Sequence, residues 1–170
     1  MKKVNVSRFV CTGGILTTAT VIFQSAPVFF PTAGLFINPL STLPVAVAAA
    51  YDISLGLAVF FSSALMLAIV SVQESVILLL ATGLLGVVIG TLLNRKGIVI
   101  SIVISGAALF TGIVVLTYII GVPALVDFTC LLPPPLILLI SFIFSLVYAG
   151  ICNIIIRKII RCFAGLKLMS

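Results

Sequence analysis

Histidine and tryptophan are absent from this 170-residue chain, and only three residues are acidic: Asp52, Glu74 and Asp127. Without histidine, and with no clustered cysteines or carboxylates, the common zinc and di-iron ligand sets cannot be assembled, so neither metal nor cofactor is expected. A serine nucleophile would lack the imidazole that usually activates it, and the three acids fall in three separate connections, which leaves no carboxylate pair for acid–base work. The chain therefore reads as a non-enzyme. Charge of either sign is scarce: 7% of residues are charged and 63% hydrophobic, against about 25% and about 45–50% in ordinary soluble domains. Too little polar surface exists to coat a water-soluble domain, and too much apolar surface exists for a disordered chain. Strict alternation of polar and apolar residues is also missing, since residues 77–80 and 136–140 are apolar on all sides. That excludes a transmembrane barrel and leaves helices.

The expected fold is an all-α integral membrane protein with a single membrane domain. A helix needs about 20 residues to cross a hydrocarbon core of about 30 Å, so this length holds at most about six or seven crossings. Apolar segments cover residues 9–30, 32–50, 53–70, 75–93, 98–120 and 136–156, followed by a basic amphipathic tail at 157–170. The second segment is interrupted by Asn38, Pro39 and Pro44, and hydropathy alone leaves it doubtful. The first is too long for the 7–15 apolar residues, roughly, of a cleaved signal peptide, so it is read as a helix. Short breaks at Tyr51-Asp52, Gln73-Glu74 and residues 94–97 suit antiparallel hairpins. The longer connection at 121–135 holds Pro123, Asp127, Cys130 and the triplet Pro133 to Pro135, so it is not helical throughout.

The nine basic residues are Lys2, Lys3, Arg8, Arg95, Lys96, Arg157, Lys158, Arg161 and Lys167. They lie between apolar segments rather than on one polar face, which argues against nucleic acid and for topology determinants at the inner membrane surface. Placing all three basic clusters on one side demands an even number of crossings between each pair. Counting residues 32–50 as a crossing satisfies that demand. The expectation is therefore six transmembrane helices with both termini cytoplasmic, Asp52 in an inner turn, and Glu74 and Asp127 outside, in the inner (plasma) membrane of a bacterium. Cys11, Cys152 and Cys162 then fall near the inner face and Cys130 outside, so no disulfide pair is available on the oxidising side.

Two groups of residues are candidates for function. Gly83, Gly86 and Gly90 strip one face of the fourth segment of side chains, and Ala46 and Ala50 do the same on the second; Ser101, Ser105, Ala108 and Gly112 form a similar stripe on the fifth. Such faces serve close helix packing, either inside the bundle or against a partner membrane protein. The second group is polar: Gln24, Asn38, Glu74, Asp127 and Tyr118 fall near the outer half, where converging amides and carboxyls can hold a small uncharged solute. Asn38-Pro39 interrupts a helix within the membrane, a feature that frees backbone groups to meet a ligand.

Several local features resemble the substrate-binding S-component superfamily of energy-coupling-factor vitamin transporters, in particular its YybS-like branch. They are Ser41-Thr42-Leu43-Pro44 with the small-residue run to Ala50, the stretch from Gly83 to Gly90 leading into Asn94-Arg95-Lys96, and a last helix ending in Arg157-Lys158. The resemblance spans about residues 10 to 160. It implies a small helical protein that binds a solute from outside and docks on a larger transmembrane coupling partner. The chain departs from that family in lacking its Ala-xxx-Ala pattern on the first helix, where only Gly13/Thr17 and Gly14/Thr18 stand. A rod-shape scaffold of the MreD type has similar length and hydropathy and supplies the alternative: a membrane protein that binds partner proteins and no solute.

Overall fold

The computed structural model describes residues 6–30, 34, 37–93, 97–120 and 134–167, and every regular element among them is helical. In chain order these are α1 (Val6–Phe29), a 3-10 turn (Asn38–Ser41) running into α2 (Thr42–Tyr51), α3 (Ile53–Val70), α4 (Val72–Ile77), a π-helical turn (Leu78–Thr82), α5 (Gly83–Leu93), α6 (Ile98–Val115) with a second π-helical turn (Leu116–Ile120), and α7 (Pro134–Lys167). Among the described residues, five stretches are long and apolar enough to cross a membrane: Val6–Phe29, Ile53–Val70, Val72–Leu92, Ile98–Ile120 and Leu136–Ile159. The architecture is that of a multi-pass membrane protein.

The second apolar segment has a different role in the packing. The 3-10 turn has four residues and α2 ten, together about 21 Å of helix against the roughly 30 Å of a hydrocarbon core. Most of α2 is nonetheless buried. Val45, Ala46 and Ala48 are fully buried, and α2 packs against α1, α3, α5 and α7. Its alanine-rich sequence explains this position, because a helix surrounded on all sides must let several backbones approach closely.

The expected hairpin breaks are tighter than the sequence suggests. A single extended residue, Asp52, separates α2 from α3, and its Oδ1 accepts the Ser54 N–H at 3.0 Å as an N-cap. Gly56 then faces the Ala49 backbone; a Cβ there would lie 2.5 Å from the Ala49 Cβ. The next break is the single extended residue Ser71, whose Oγ caps α4 by accepting the Glu74 N–H at 3.4 Å. Gln73 and Glu74 thus stand in the first turn of a helix and not in a connection. At the other end of the chain, α7 runs unbroken to Lys167, where a separate surface tail was expected. Residues 157–164 hold no glycine or proline, so nothing there ends the helix. The connection at 121–133 with Asp127 and Cys130, and the Asn94-Arg95-Lys96 link, lie outside the described residues.

The glycine stripe of the fourth segment faces inward. A Cβ on Gly90 would lie 2.5 Å from the Ala46 carbonyl oxygen, and one on Gly86 would lie 2.9 Å from that of Thr42. One on Gly83 would meet the Phe60 ring at 2.7 Å. Gly112 sits directly against the Leu80 backbone. These contacts join α5 to α2 and α3, and α6 to the π-helical turn. A core of Ala46, Leu85, Ile89, Leu109, Leu116 and Ile156 fills the space between them.

A buried polar cluster between three helices

Gln24 is fully buried near the C-terminal end of α1 and is surrounded by polar side chains from three other elements. Its Nε2 donates to Glu74 Oε2 at 3.0 Å, while its Oε1 accepts from Ser41 Oγ at 2.6 Å and from Thr82 Oγ1 at 3.1 Å. An amide in an apolar bundle is costly unless satisfied, and this one is engaged by protein on both ends.

Local structure delivers each partner. Ser71-x-x-Glu74 has the spacing of a capping box, in which the glutamate would fold back on the cap's own N–H. Here that N–H is already taken by the Leu67 carbonyl at 2.7 Å, so the Glu74 side chain is released toward α1. Thr82 depends on the π-helical turn. Residues 74 and 82 are eight apart, which in a regular α-helix leaves them about 80° out of line. One extra residue per turn brings them back to within about 20° of each other. Glu74 and Thr82 can therefore both reach Gln24. Ser41 arrives on the 3-10 turn, where Pro39 removes a backbone donor at a position that tolerates its loss.

A second polar layer adjoins the first through the same turn. Thr42 Oγ1 donates to the Pro39 carbonyl at 2.8 Å, and Tyr148 Oη on α7 donates to that carbonyl at 3.2 Å. Thr42 also lies 4.0 Å from the Cys152 sulfur. Asn38 is half-buried, and its Oδ1 is sealed from solvent with no hydrogen-bond donor. Buried acceptors left unfilled are unusual, and this one marks a place where a donor is wanted.

Of the five polar residues singled out from sequence, Gln24 and Glu74 are in direct contact, and Asn38 lies on the turn that supplies Ser41. Tyr118 does not join them; it is 58% exposed on the second π-helical turn. Asp127 is outside the described residues. Ser41 enters the sequence reading only within a family motif, and Thr82 and Tyr148 not at all. An i, i+8 spacing gives no helical signal, and only the π-helical turn makes the Glu74–Thr82 relation productive. Among the glycines and alanines, Gly83, Gly86 and Gly90 are buried, Ala46 is fully buried, and Ala50 is half-buried. Cys11 is exposed on α1 and Cys152 buried on α7, both as free thiols. No group of three or more metal-ligating side chains occurs among the described residues. Compared with family models, curated proteins and solved structures, the chain matches none.

Proposed function

We propose that this protein binds a small polar solute at the outer end of its helical bundle, without catalysis, in the manner of an S-component-like membrane transporter subunit. The observation that carries the reading is the Gln24–Glu74 pair with Ser41 and Thr82. It places a carboxyl group and an amide in the interior of an apolar bundle, and polar residues at such depth are costly and commonly functional. The Asn38 Oδ1 without a donor and the Glu74 carboxyl both favour a solute that brings hydrogen-bond donors. In this reading the α2 segment counts as a sixth crossing, both termini are cytoplasmic, and the protein resides in the inner (plasma) membrane of a bacterium. The basic residues support that topology: six crossings put all nine on one side. Docking on a larger transmembrane coupling protein completes the proposed role.

Two experiments test this. Reporter fusions after Ser170 and next to Gln73 should give inside and outside signals respectively; an outside signal from the C-terminal fusion would overturn the topology. A thermal-shift screen of the purified protein against donor-rich polar metabolites should yield at least one stabilising compound. One observation favours the scaffold alternative: Gln24 Oε1 already accepts two hydroxyls and its Nε2 already donates to Glu74, as a purely structural clamp would. If no compound stabilises the protein and a membrane partner co-purifies, the MreD-type scaffold replaces the solute-binding reading.

A further inference from the structure

Glu74 is the only glutamate of the chain, and it is buried in the Gln24 cluster without a charged neighbour among the described residues. The elements around it carry few ionisable groups. On α1 these are Arg8 and Cys11, about 24 Å and about 20 Å along the helix from Gln24. The 3-10 turn, α3, the π-helical turn and α5 have none, and α2 has only Tyr51 at its far end. On α7, Tyr148 and Cys152 engage the Pro39 and Thr42 side of the turn. Asp127 and Cys130 are outside the described residues. Glu74 stands in the first turn of α4, beside the Ser71 break, and keeps 9% of its surface exposed, so a proton need not cross the bundle to reach it.

The cluster serves this carboxyl group in either protonation state. As observed, Gln24 Nε2 donates to Glu74 Oε2 while Ser41 and Thr82 donate to Gln24 Oε1. That is the pattern a carboxylate needs, because a carboxylate only accepts. Half a turn about the last side-chain bond of Gln24 exchanges its oxygen and nitrogen in nearly the same space. Gln24 Oε1 then accepts the O–H of a protonated Glu74, and the two N–H groups of Nε2 meet the two hydroxyl oxygens, which accept as readily as they donate. The hydroxyl protons displaced by the turn also find places. Asn38 Oδ1 is sealed from solvent without a donor, and Asn38 precedes Ser41 by three residues on the 3-10 turn, where residues three apart lie over one another. A change of rotamer at Asn38 brings that acceptor to the Ser41 hydroxyl. Thr82 can donate to a main-chain carbonyl one turn back, as Thr18, Thr20 and Thr111 do elsewhere in the chain.

We infer that Glu74 is a reversible proton-binding site, and that its protonation turns the Gln24 amide over and reverses the hydrogen bonds of the cluster. The ionised state leaves the carboxylate and Asn38 Oδ1 open as acceptors. The protonated state fills Asn38 Oδ1 from Ser41 and commits the Glu74 proton to Gln24. The consequence for a solute rests on the solute-binding reading above: a donor-rich molecule is held by the ionised cluster and released by the protonated one. Its affinity then falls as pH falls through the midpoint, by up to about tenfold per pH unit.

The test uses the full-length chain in detergent, free of solute and isotope-labelled at the glutamate carboxyl and the glutamine side-chain amides. With one glutamate and two glutamines, Gln24 and Gln73, both labels report on few groups. Infrared spectra taken from about pH 9 to about pH 4 should show the labelled carbonyl band of a protonated Glu74 appear with a single midpoint. The nuclear magnetic resonance signals of the Gln24 amide, told from those of Gln73 with Gln73→Ser, should move with the same midpoint. Asn38→Ala removes an acceptor that only the protonated state fills, and should move that midpoint by about half a unit or more to lower pH. A Glu74 band that does not titrate, Gln24 signals that stay in place while it does, or a midpoint unchanged in Asn38→Ala would overturn the inference. If Asn38→Ala does not fold, the two wild-type measurements decide alone. None of them needs a solute, so a failure to find any bound compound would overturn the solute-binding reading and leave the proton switch standing.

Discussion

Replacing Gly90 by alanine is the sharpest probe of how α5 and α2 are held together. The new Cβ would lie 2.5 Å from the Ala46 carbonyl oxygen, 2.6 Å from the Ala49 Cβ and 3.0 Å from the Ala50 nitrogen. Ordinary contacts between such atoms begin near 3.5 Å, so the two helices must part by roughly 1 Å. Backbone atoms block the methyl group, so no side-chain rotation relieves the clash. Overpacking of this kind costs about 1–3 kcal/mol. The same substitution at Gly14 or Gly150, where nothing lies within 4 Å of the new Cβ, adds no clash. All three variants gain the helix propensity of alanine over glycine, about 1 kcal/mol, so that term cancels in the comparison. Gly90→Ala should therefore melt roughly 3–10 °C below Gly14→Ala. The assay is thermal denaturation in one detergent at one scan rate, since membrane proteins often unfold irreversibly. Equal melting temperatures would mean that α5 does not pack on α2 through this face.

Other outcomes follow from the same contacts. Gln24→Leu strands the Ser41 and Thr82 hydroxyls and the Glu74 carboxyl together, and should cost about 2–4 kcal/mol in detergent melts, whereas Glu74→Gln keeps an acceptor for Gln24 Nε2 and should cost less than about 1 kcal/mol. Gly86→Leu should be strongly destabilising and Val88→Leu close to silent, because a Cβ on Gly86 would lie 2.9 Å from the Thr42 carbonyl oxygen while Val88 is only half-buried. Deleting one residue within Leu78–Thr82 should be better tolerated than deleting one between Gly86 and Ile89. The first removes the extra residue of a π-helical turn and keeps Glu74 and Thr82 on one face; the second rotates the Gly90 contact away from α2. Expression level and melting temperature of the two deletions compare them directly.

Much of the helical layout is legible in the sequence because apolar runs of about 20 residues carry their own signal. Segments 53–70 and 98–120 coincide with observed stretches, and Asp52 marks a true boundary. The α2 segment is harder to read, since Asn38, Pro39 and Pro44 lower its hydropathy and its burial comes from alanines that fit among other helices. The start of α4 is misplaced by three residues because Ser71 and Glu74 look like loop polarity, although their spacing is that of a capping signal. Gln24 and Glu74 are identifiable as isolated polar residues in apolar surroundings. Their direct contact is not, because a pairing across fifty residues leaves no periodic trace. Thr82 stays hidden for a separate reason: a π-helical turn shifts the face of every residue after it, and no residue in Leu78–Thr82 announces the shift.

The solute-binding reading is tested most directly by native mass spectrometry of the wild-type protein and Glu74→Gln, each released from detergent after incubation with the same metabolite mixture. Glu74→Gln preserves the hydrogen bond to Gln24 and so preserves the fold while altering the carboxyl group offered to a solute. A small-molecule adduct on the wild-type chain that is lost from Glu74→Gln is the expected result. No adduct on the wild-type chain, or one retained in full by Glu74→Gln, would contradict a solute site at the Gln24–Glu74 cluster.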